Sequence, residues 1–145
     1  MIRAYMLWGC TYNKHLDKLR IVQKKIIRII TNSKYNEHTD PLFKHLKLLK
    51  LNQLYILKVG KFMYKSTINE LPEAVNKPYK PNSVYHAYNT RQKSNPHIRY
   101  RRTQLASTQI NHKAPEICHN IPNNIKQSKH IRQLTKQLKL CLINS

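Results

Sequence analysis

The stretch LDKLRIVQKKIIRIITNS, residues 16–33, combines aliphatic residues and cations in one predicted helix and contains a single acid. Its apolar residues recur at steps of three or four, which is typical of an amphipathic helix. They predict a buried stripe formed by Leu16, Leu19, Val22, Ile26 and Ile30 and widened by Ile27 and Ile29. The cations Lys18, Lys24, Lys25 and Arg28 fall mostly outside this stripe.

Two further helices are predicted downstream of this stretch. The second begins at TDPLF, residues 39–43, where Asp40 is expected to cap the helix and Pro41 to occupy its first position. Its expected buried face is Leu42, Phe43, Leu46 and Leu49.

The third predicted helix starts near Asn52 and runs towards Ser66. It carries the apolar residues Leu54, Leu57, Phe62 and Met63. Gly60 weakens this helix by about 1 kcal/mol relative to alanine. We therefore expect close packing or a slight bend at Gly60.

The composition changes after residue 70, and four prolines interrupt residues 71–104 without a sustained period. This segment predicts a long Pro-rich loop that is either disordered or ordered by a partner. In residues 105–145, Pro115 and Pro122 punctuate a short segment, and Ser128 is expected to cap a last helix. The face of that helix is Ile131, Leu134, Leu138 and Leu142. The fold class is therefore all-α, with a basic helical segment over residues 1–70.

The charge of the chain points to a polyanionic partner. Its 27 Lys and Arg against 6 Asp and Glu leave a net charge of +21 over 145 residues. Residues 1–70 carry 14 cations and 4 acids, and residues 71–145 carry 13 and 2, so neither half is a separate tail. A small domain usually carries a net charge of about 2 to 8 in magnitude. RNA or DNA, bound without sequence specificity, is the expected partner.

The cysteines and the hydropathy indicate the compartment. Cys10, Cys118 and Cys141 are odd in number and widely spaced, which does not suggest a disulfide framework. The opening MIRAYMLWGC has too short an apolar run for a secretory signal. We expect an intracellular protein of the nucleus or cytoplasm, neither secreted nor transmembrane.

Several motifs follow one another in a recognisable order. They are WG at 8–9, LDKLRIVQKKIIRIIT at 16–31, HTDPLFKHLKLLKL at 38–51, LYILKVGKFMYK at 54–65, LP at 71–72, HAYNTR at 86–91 and the AP...NIPNNIK segment ending at residue 126. In order and spacing the chain resembles the carboxy-terminal region of reverse transcriptases from non-LTR, jockey-like (LINE-type) retrotransposons, a family of RNA-directed DNA polymerases. The resemblance implies thumb and post-thumb sequence that holds template and primer. It also implies the palm and fingers of the parent polymerase as a partner.

The chain departs from the family pattern at APEICHNIP, residues 114–122. Ala114 and Cys118 stand where the family usually has glycine and tryptophan. Alanine does not readily adopt a positive φ, and a thiol fills less space than an indole. A loosely packed carboxy-terminal half is therefore expected.

No catalytic set is recognisable, and no cofactor is expected. Reverse transcription needs clustered aspartates that hold two metals, whereas Asp17 and Asp40 are the only aspartates of this chain. The sequence is expected to begin after the catalytic residues of the parent polymerase. A zinc set of His112, Cys118, His119 and His130 lacks the paired short spacings of structural zinc sites.

The segment YNTRQKSNPHIRYRR, residues 88–102, is the best candidate for nucleic-acid contact. Its predicted phosphate-binding residues are Arg91, Lys93, Arg99, Arg101 and Arg102, and Tyr88 and Tyr100 are its predicted stacking residues. Lys24, Lys25 and Arg28 of the first helix complete the predicted site. The alternatives are an independent basic protein of ribosomal or membrane-surface type, with no membrane expected on balance, and a translated relic without a selected role.

Overall fold

The computed structural model describes residues 13–76 and 79–144, and within these ranges it contains nine helices and no β-strand. In chain order they are α1 Asn13–Ile30, α2 Thr39–His45, α3 Leu51–Thr67, α4 Glu73–Asn76, α5 Asn82–Tyr85, α6 Gln104–Thr108, α7 Ile110–Asn120, α8 Asn123–Lys126 and α9 Ile131–Asn144. The all-α fold class is confirmed.

Helix α3 lies at the centre because its opposite faces enter two different core clusters. Leu57 and Tyr64 pack with residues of α8 and α9, and Val59 and Met63 pack with Ala114 of α7. The full membership of the first cluster is Leu57, Tyr64, Ile121, Ile125, Leu134, Leu138 and Leu142. Half-buried Ile117 of α7 contacts both clusters. The three predicted buried leucines of the last helix are confirmed.

Gly60 is buried where α3 crosses α9, and the close packing expected there is confirmed. A Cβ at this position would lie 2.7 Å from Cδ2 of Leu138 and 3.2 Å from Cδ1 of Ile121. The missing side chain therefore allows the two helices to approach, at the cost of helix propensity.

Helix α1 forms as predicted, but its predicted buried stripe is wrong. Only Leu16 and Ile27 are buried, with 8% and 2% exposure. The other predicted members of the stripe, Leu19, Val22, Ile26, Ile29 and Ile30, are 48–78% exposed. Helix α1 contacts α2 and α3. Within residues 14–30, the side chains that are buried or half-buried form a narrow strip: Leu16, Arg20, Gln23, Ile27 and Arg28.

Helix α2 differs from the prediction at both ends. Asp40 does not cap it, because the N-cap is His38 and Asp40 instead forms an ion pair of 2.9 Å with Lys50. The helix ends at His45, so Leu46 is its C-cap and Leu49 lies in the following connection. Phe43 is buried as predicted.

The carboxy-terminal segment contains a helix, α7, that was not predicted because prolines punctuate its sequence. Helix α7 includes Pro115 in its interior, and Ala114 and Pro115 are both buried. Ala114 is helical, so the positive φ that its replacement of glycine suggested does not occur. Its methyl group is fully shielded beside Val59, and the expected loose packing is wrong at this point. Ser128 is also not a helix cap. It lies three residues before α9 begins, and its hydroxyl donates to the carbonyl of Ile125.

Candidate nucleic-acid interface

The predicted loop is irregular over most of its length but is closed into a defined shape. An isolated antiparallel bridge joins Pro81 to Pro96. The backbone N–H of Asn82 donates to the carbonyl of Asn95 over 2.9 Å, and that of His97 donates to the carbonyl of Lys80 over 2.9 Å. These bonds bring the two ends of residues 80–97 together, and we call this segment the closed loop. The bonds that close the loop lie within the chain itself.

The closed loop is attached to the helical core at its base. His119 donates a hydrogen bond of 3.1 Å from Nε2 to the carbonyl of Pro96, and Nζ of Lys126 donates to Oδ1 of Asn95 over 3.3 Å. On the other side, Tyr79 is buried and packs edge-to-face on Phe62, with ring centroids 5.4 Å apart. Helices α3, α7 and α8 therefore all fix the position of the loop.

The predicted contact residues of this segment fall into two groups. Tyr88, Arg91 and Lys93 lie within the closed loop, and all three are exposed. Arg99, Tyr100, Arg101 and Arg102 follow directly after it, and all of these except half-buried Arg101 are exposed. Tyr88 and Tyr100 are 77% and 90% exposed, so neither ring packs under the loop. Their faces are free to receive a planar ligand.

Charge is distributed unevenly around these residues. No acid occurs between Glu73 and Glu116, whereas eight cations lie in that interval. Glu116 at its end is itself 2.8 Å from the ammonium group of Lys113. Residues 74–115 therefore contribute only positive charge.

The predicted cations of α1 do not lie beside the loop. Gln23 of α1 bonds to the backbone of Leu49 and Leu51, at the amino end of α3, whereas Tyr79 contacts Phe62 eleven residues further along the same helix. At 1.5 Å rise per residue, these two points are about 16 Å apart. The sequence contains two basic regions, and the structure does not unite them in one patch.

The individual environments of the α1 cations also differ. Arg28 is half-buried and donates from Nε and Nη2 to the carbonyl of Glu37, at 3.1 and 2.9 Å, and its guanidinium lies 5.8 Å from the Tyr35 ring centre. Lys24 is exposed near Asp40. The pKa of Asp40 is lowered chiefly because Lys50 donates a hydrogen bond to its carboxylate, with smaller contributions from the charges of Lys50, Lys24 and His38. Arg28 therefore has a structural role that the sequence did not reveal.

Sequence reasoning missed four residues that shape the loop. Asn82 and His97 hold its two sides together, and His119 and Lys126 attach it to the core. Their partners lie 15 to 31 residues away in the chain. No local period or motif marks such pairs, so the sequence alone contains no signal for them.

The described residues offer few features for metal binding or thiol chemistry. Within residues 13–76 and 79–144, no group of three or more His, Cys, Asp and Glu could hold a metal ion. Burial raises the pKa of the Cys118 thiol, and this lowers the fraction of reactive thiolate. Cys141 is exposed, and Cys10 lies outside the described residues. In the described part of the chain, no helix has the length and apolar character required to cross a membrane.

Comparison of the chain with protein-family models, with curated proteins and with solved structures finds no match in any of the three.

Proposed function

We propose that this protein binds single-stranded RNA or DNA through residues 79–102, as a non-catalytic module without sequence specificity. The observation that carries the proposal is the acid-free segment 79–102, in which exposed Arg91, Lys93, Arg99 and Arg102 lie among the exposed rings of Tyr88 and Tyr100. Cations that neutralise phosphates, interleaved with aromatic faces that stack on bases, are the two elements of sequence-tolerant strand binding.

The resemblance of the motif order to non-LTR, jockey-like reverse transcriptases extends the proposal. Under it, the chain is a carboxy-terminal portion of such a polymerase that holds template or primer inside the cell, in nucleus or cytoplasm. Palm and fingers domains would be its protein partners. The only two aspartates support a non-catalytic role, because Asp17 is paired with Arg20 at 2.6 Å and Asp40 with Lys50 at 2.9 Å.

The experiment that tests the proposal compares two variants of equal charge. The loop variant replaces Arg91, Lys93, Arg99 and Arg102 by alanine. The control variant replaces Lys129, Arg132, Lys136 and Lys139 by alanine; these four residues are exposed in or just before α9. Filter binding to a single-stranded oligonucleotide gives log affinity against log salt for each.

We expect the loop variant to reduce the magnitude of that slope by about 3, since each phosphate contact on a single strand contributes about 0.7. The control variant should retain most of the wild-type slope. Equal slopes for the two variants would show a diffuse cationic surface and overturn the assignment of the loop.

A second candidate function, binding to an anionic membrane surface, is favoured by one observation on α1. Its aliphatic residues Leu19, Val22, Ile26, Ile29 and Ile30 are exposed along one side of a helix that also carries lysines. Interfacial helices combine an apolar face with cations in this way. Sedimentation with anionic vesicles separates the candidates: loss of vesicle binding on Ile26→Asp, with strand binding unchanged, would favour the membrane surface.

A further inference from the structure

Three aromatic side chains form a compact group on the closed loop, apart from Tyr88 and Tyr100. The rings of Tyr85 and His97 are stacked, with centroids 4.3 Å apart and an angle of 26° between their planes. His86 meets His97 edge-on, with centroids 5.5 Å apart. Tyr85 and His97 are twelve residues apart in sequence, so the closure of the loop creates this stack.

Hydrogen bonds fix the stack in position. His97 donates from Nδ1 to Oδ1 of Asn82 over 3.0 Å, and Asn82 donates from Nδ2 to the carbonyl of Gln92 over 3.0 Å. The backbone N–H of His97 is bound to the carbonyl of Lys80. Both the backbone and the side chain of His97 are therefore held by hydrogen bonds. This reduces the conformational entropy that the protein loses when a ligand stacks on the ring.

This stack does not belong to the hydrophobic core. The other aromatic pair of the region, Phe62 and Tyr79, lies in or against the second core cluster, and Tyr79 is only 7% exposed. Tyr85 is 39% exposed, His86 is exposed and His97 is half-buried. Ordered rings that remain in contact with solvent leave aromatic surface available to a ligand.

The charge at the edge of the stack defines the ligand further. Nη2 of Arg99 donates to the hydroxyl oxygen of Tyr85 over 3.2 Å, which places a guanidinium at the rim of the ring. A guanidinium presents five donors, so this bond leaves others for a phosphate. No carboxylate occurs in the sequence from residue 74 to residue 115. A planar base and a phosphate, joined by a sugar, are what a nucleotide would present to such a site.

From this geometry we infer that the Tyr85–His97 stack is a platform for one unpaired nucleobase, and that Arg99 binds the phosphate attached to it. The inference rests on the proposed function and deepens it, because it makes an unpaired base the feature that is recognised. A paired base in a duplex has both faces covered by its neighbours, so it cannot extend the stack. RNA and DNA strands offer the same base faces.

The test compares a base-containing strand with an abasic strand of equal length and phosphate number, each as RNA and as DNA. Tyr85→Ala should weaken binding of the base-containing strand by about 5- to 150-fold, the range that loss of one base–aromatic stack produces. Binding of the abasic strand should change by less than about twofold, because its phosphate contacts remain. The slope of log affinity against log salt should be the same for Tyr85→Ala as for wild-type protein.

Two further variants separate stacking from loop integrity. Tyr85→Phe keeps the ring and removes the hydroxyl, so it should retain most of the affinity for the base-containing strand. Tyr35→Ala removes an equally large, 78% exposed ring near α1 and serves as the matched control, with no change expected. If Tyr85→Ala lowers the affinity for both strands equally, the Tyr85 ring only maintains the structure of the loop, and the inference is overturned. Unchanged binding of both strands by Tyr85→Ala would overturn it as well.

The proposed function fails in a different and distinguishable way. If wild-type protein binds neither strand, the proposed function is wrong and the platform falls with it. If wild-type protein binds both strands equally well, only the phosphate contacts of the proposed function stand, and base stacking by Tyr88, Tyr100 and the platform is overturned. If it prefers the base-containing strand and Tyr85→Ala leaves that preference unchanged, strand binding stands and only the platform is overturned.

Discussion

Helix α1 is richer in aliphatic residues than helix α3, yet α3 is the one that forms the core. The two helices have 18 and 17 residues, and α1 contains eight Leu, Ile and Val against five in α3. Of the aliphatic residues of α1, only Leu16 and Ile27 are buried, whereas α3 buries six residues, including Gly60. Apolar content therefore does not decide which helix becomes central.

The way the two helices are attached explains the difference. α3 is enclosed by α7, α8 and α9, and apolar side chains supply most of its contacts. Helix α1 buries few apolar side chains, and polar groups bond across its contact with the start of α3. Gln23 alone bonds to two backbone groups across the interface, accepting from the N–H of Leu51 and donating to the carbonyl of Leu49, both at 3.0 Å. Arg20 adds a bond of 2.9 Å to Asn52.

This contrast shows that hydrophobic periodicity identifies the residues that share one face of a helix. It does not show whether another element covers that face. In α1 the repeat of three and four is real, but most of its members are exposed. In α3 the apolar residues are spread around the helix, which suits an element with neighbours on opposite sides.

The largest expected effect is in the core around α3. Leu138 is 1% exposed and contacts the position of Gly60, so Leu138→Ala should lower the free energy of unfolding by about 2–5 kcal/mol. Leu140 lies two residues away in α9 and is 52% exposed, so Leu140→Ala should cost below about 1 kcal/mol. Denaturant unfolding followed by circular dichroism measures both. Similar losses at the two positions would contradict the central place of α3.

A smaller effect is expected within α1, at two adjacent isoleucines. Ile27 is 2% exposed and Ile26 is 49% exposed. Ile27→Ala should destabilise the protein by about 2–3 kcal/mol, the lower part of the range for such truncations, because α1 is contacted mainly by two helices and a site with few neighbours collapses more readily. Ile26→Ala should change stability by less than about 0.5 kcal/mol. The same unfolding experiment applies, and a large loss at Ile26 would mean that its side of α1 is covered in solution.

Much of the fold was predictable because it depends on local patterns. The three amino-terminal helices and the last helix have apolar repeats, and Leu134, Leu138 and Leu142 were identified from spacing alone. The prediction was wrong where a position depends on a distant neighbour. Pro115 suggested an interrupted segment, but its burial together with Ala114 against α3 accompanies a continuous helix α7.

The candidate site follows the same division. The cations and tyrosines of residues 88–102 were identified from composition, and their exposure agrees with that expectation, apart from half-buried Arg101. The Tyr85–His97 stack was not identified, because its two rings meet only when the bridge between Pro81 and Pro96 closes the loop. Local sequence cannot show which distant residues come into contact.

The smallest expected effect concerns the ion pair between Asp40 and Lys50, which sits where α2 meets the start of α3. Lys50 donates a hydrogen bond that lowers the pKa of Asp40 below its ordinary value of 3.8. A carboxyl whose pKa is lower in the folded state stabilises the fold above its unfolded-state pKa, and this contribution is lost as pH falls through the folded-state pKa. Because both side chains are substantially exposed, at 63% and 40%, the effect should be below about 1 kcal/mol and should shrink in high salt. Unfolding curves of wild type, Asp40→Asn and the control Lys44→Gln between pH 7 and pH 3 measure it. Asp40→Asn should be slightly less stable than wild type at pH 7 and should approach it at acid pH, while Lys44→Gln keeps the wild-type dependence. A constant difference between Asp40→Asn and wild type at every pH would show that the polar junction of α2 and α3 owes nothing to this charge.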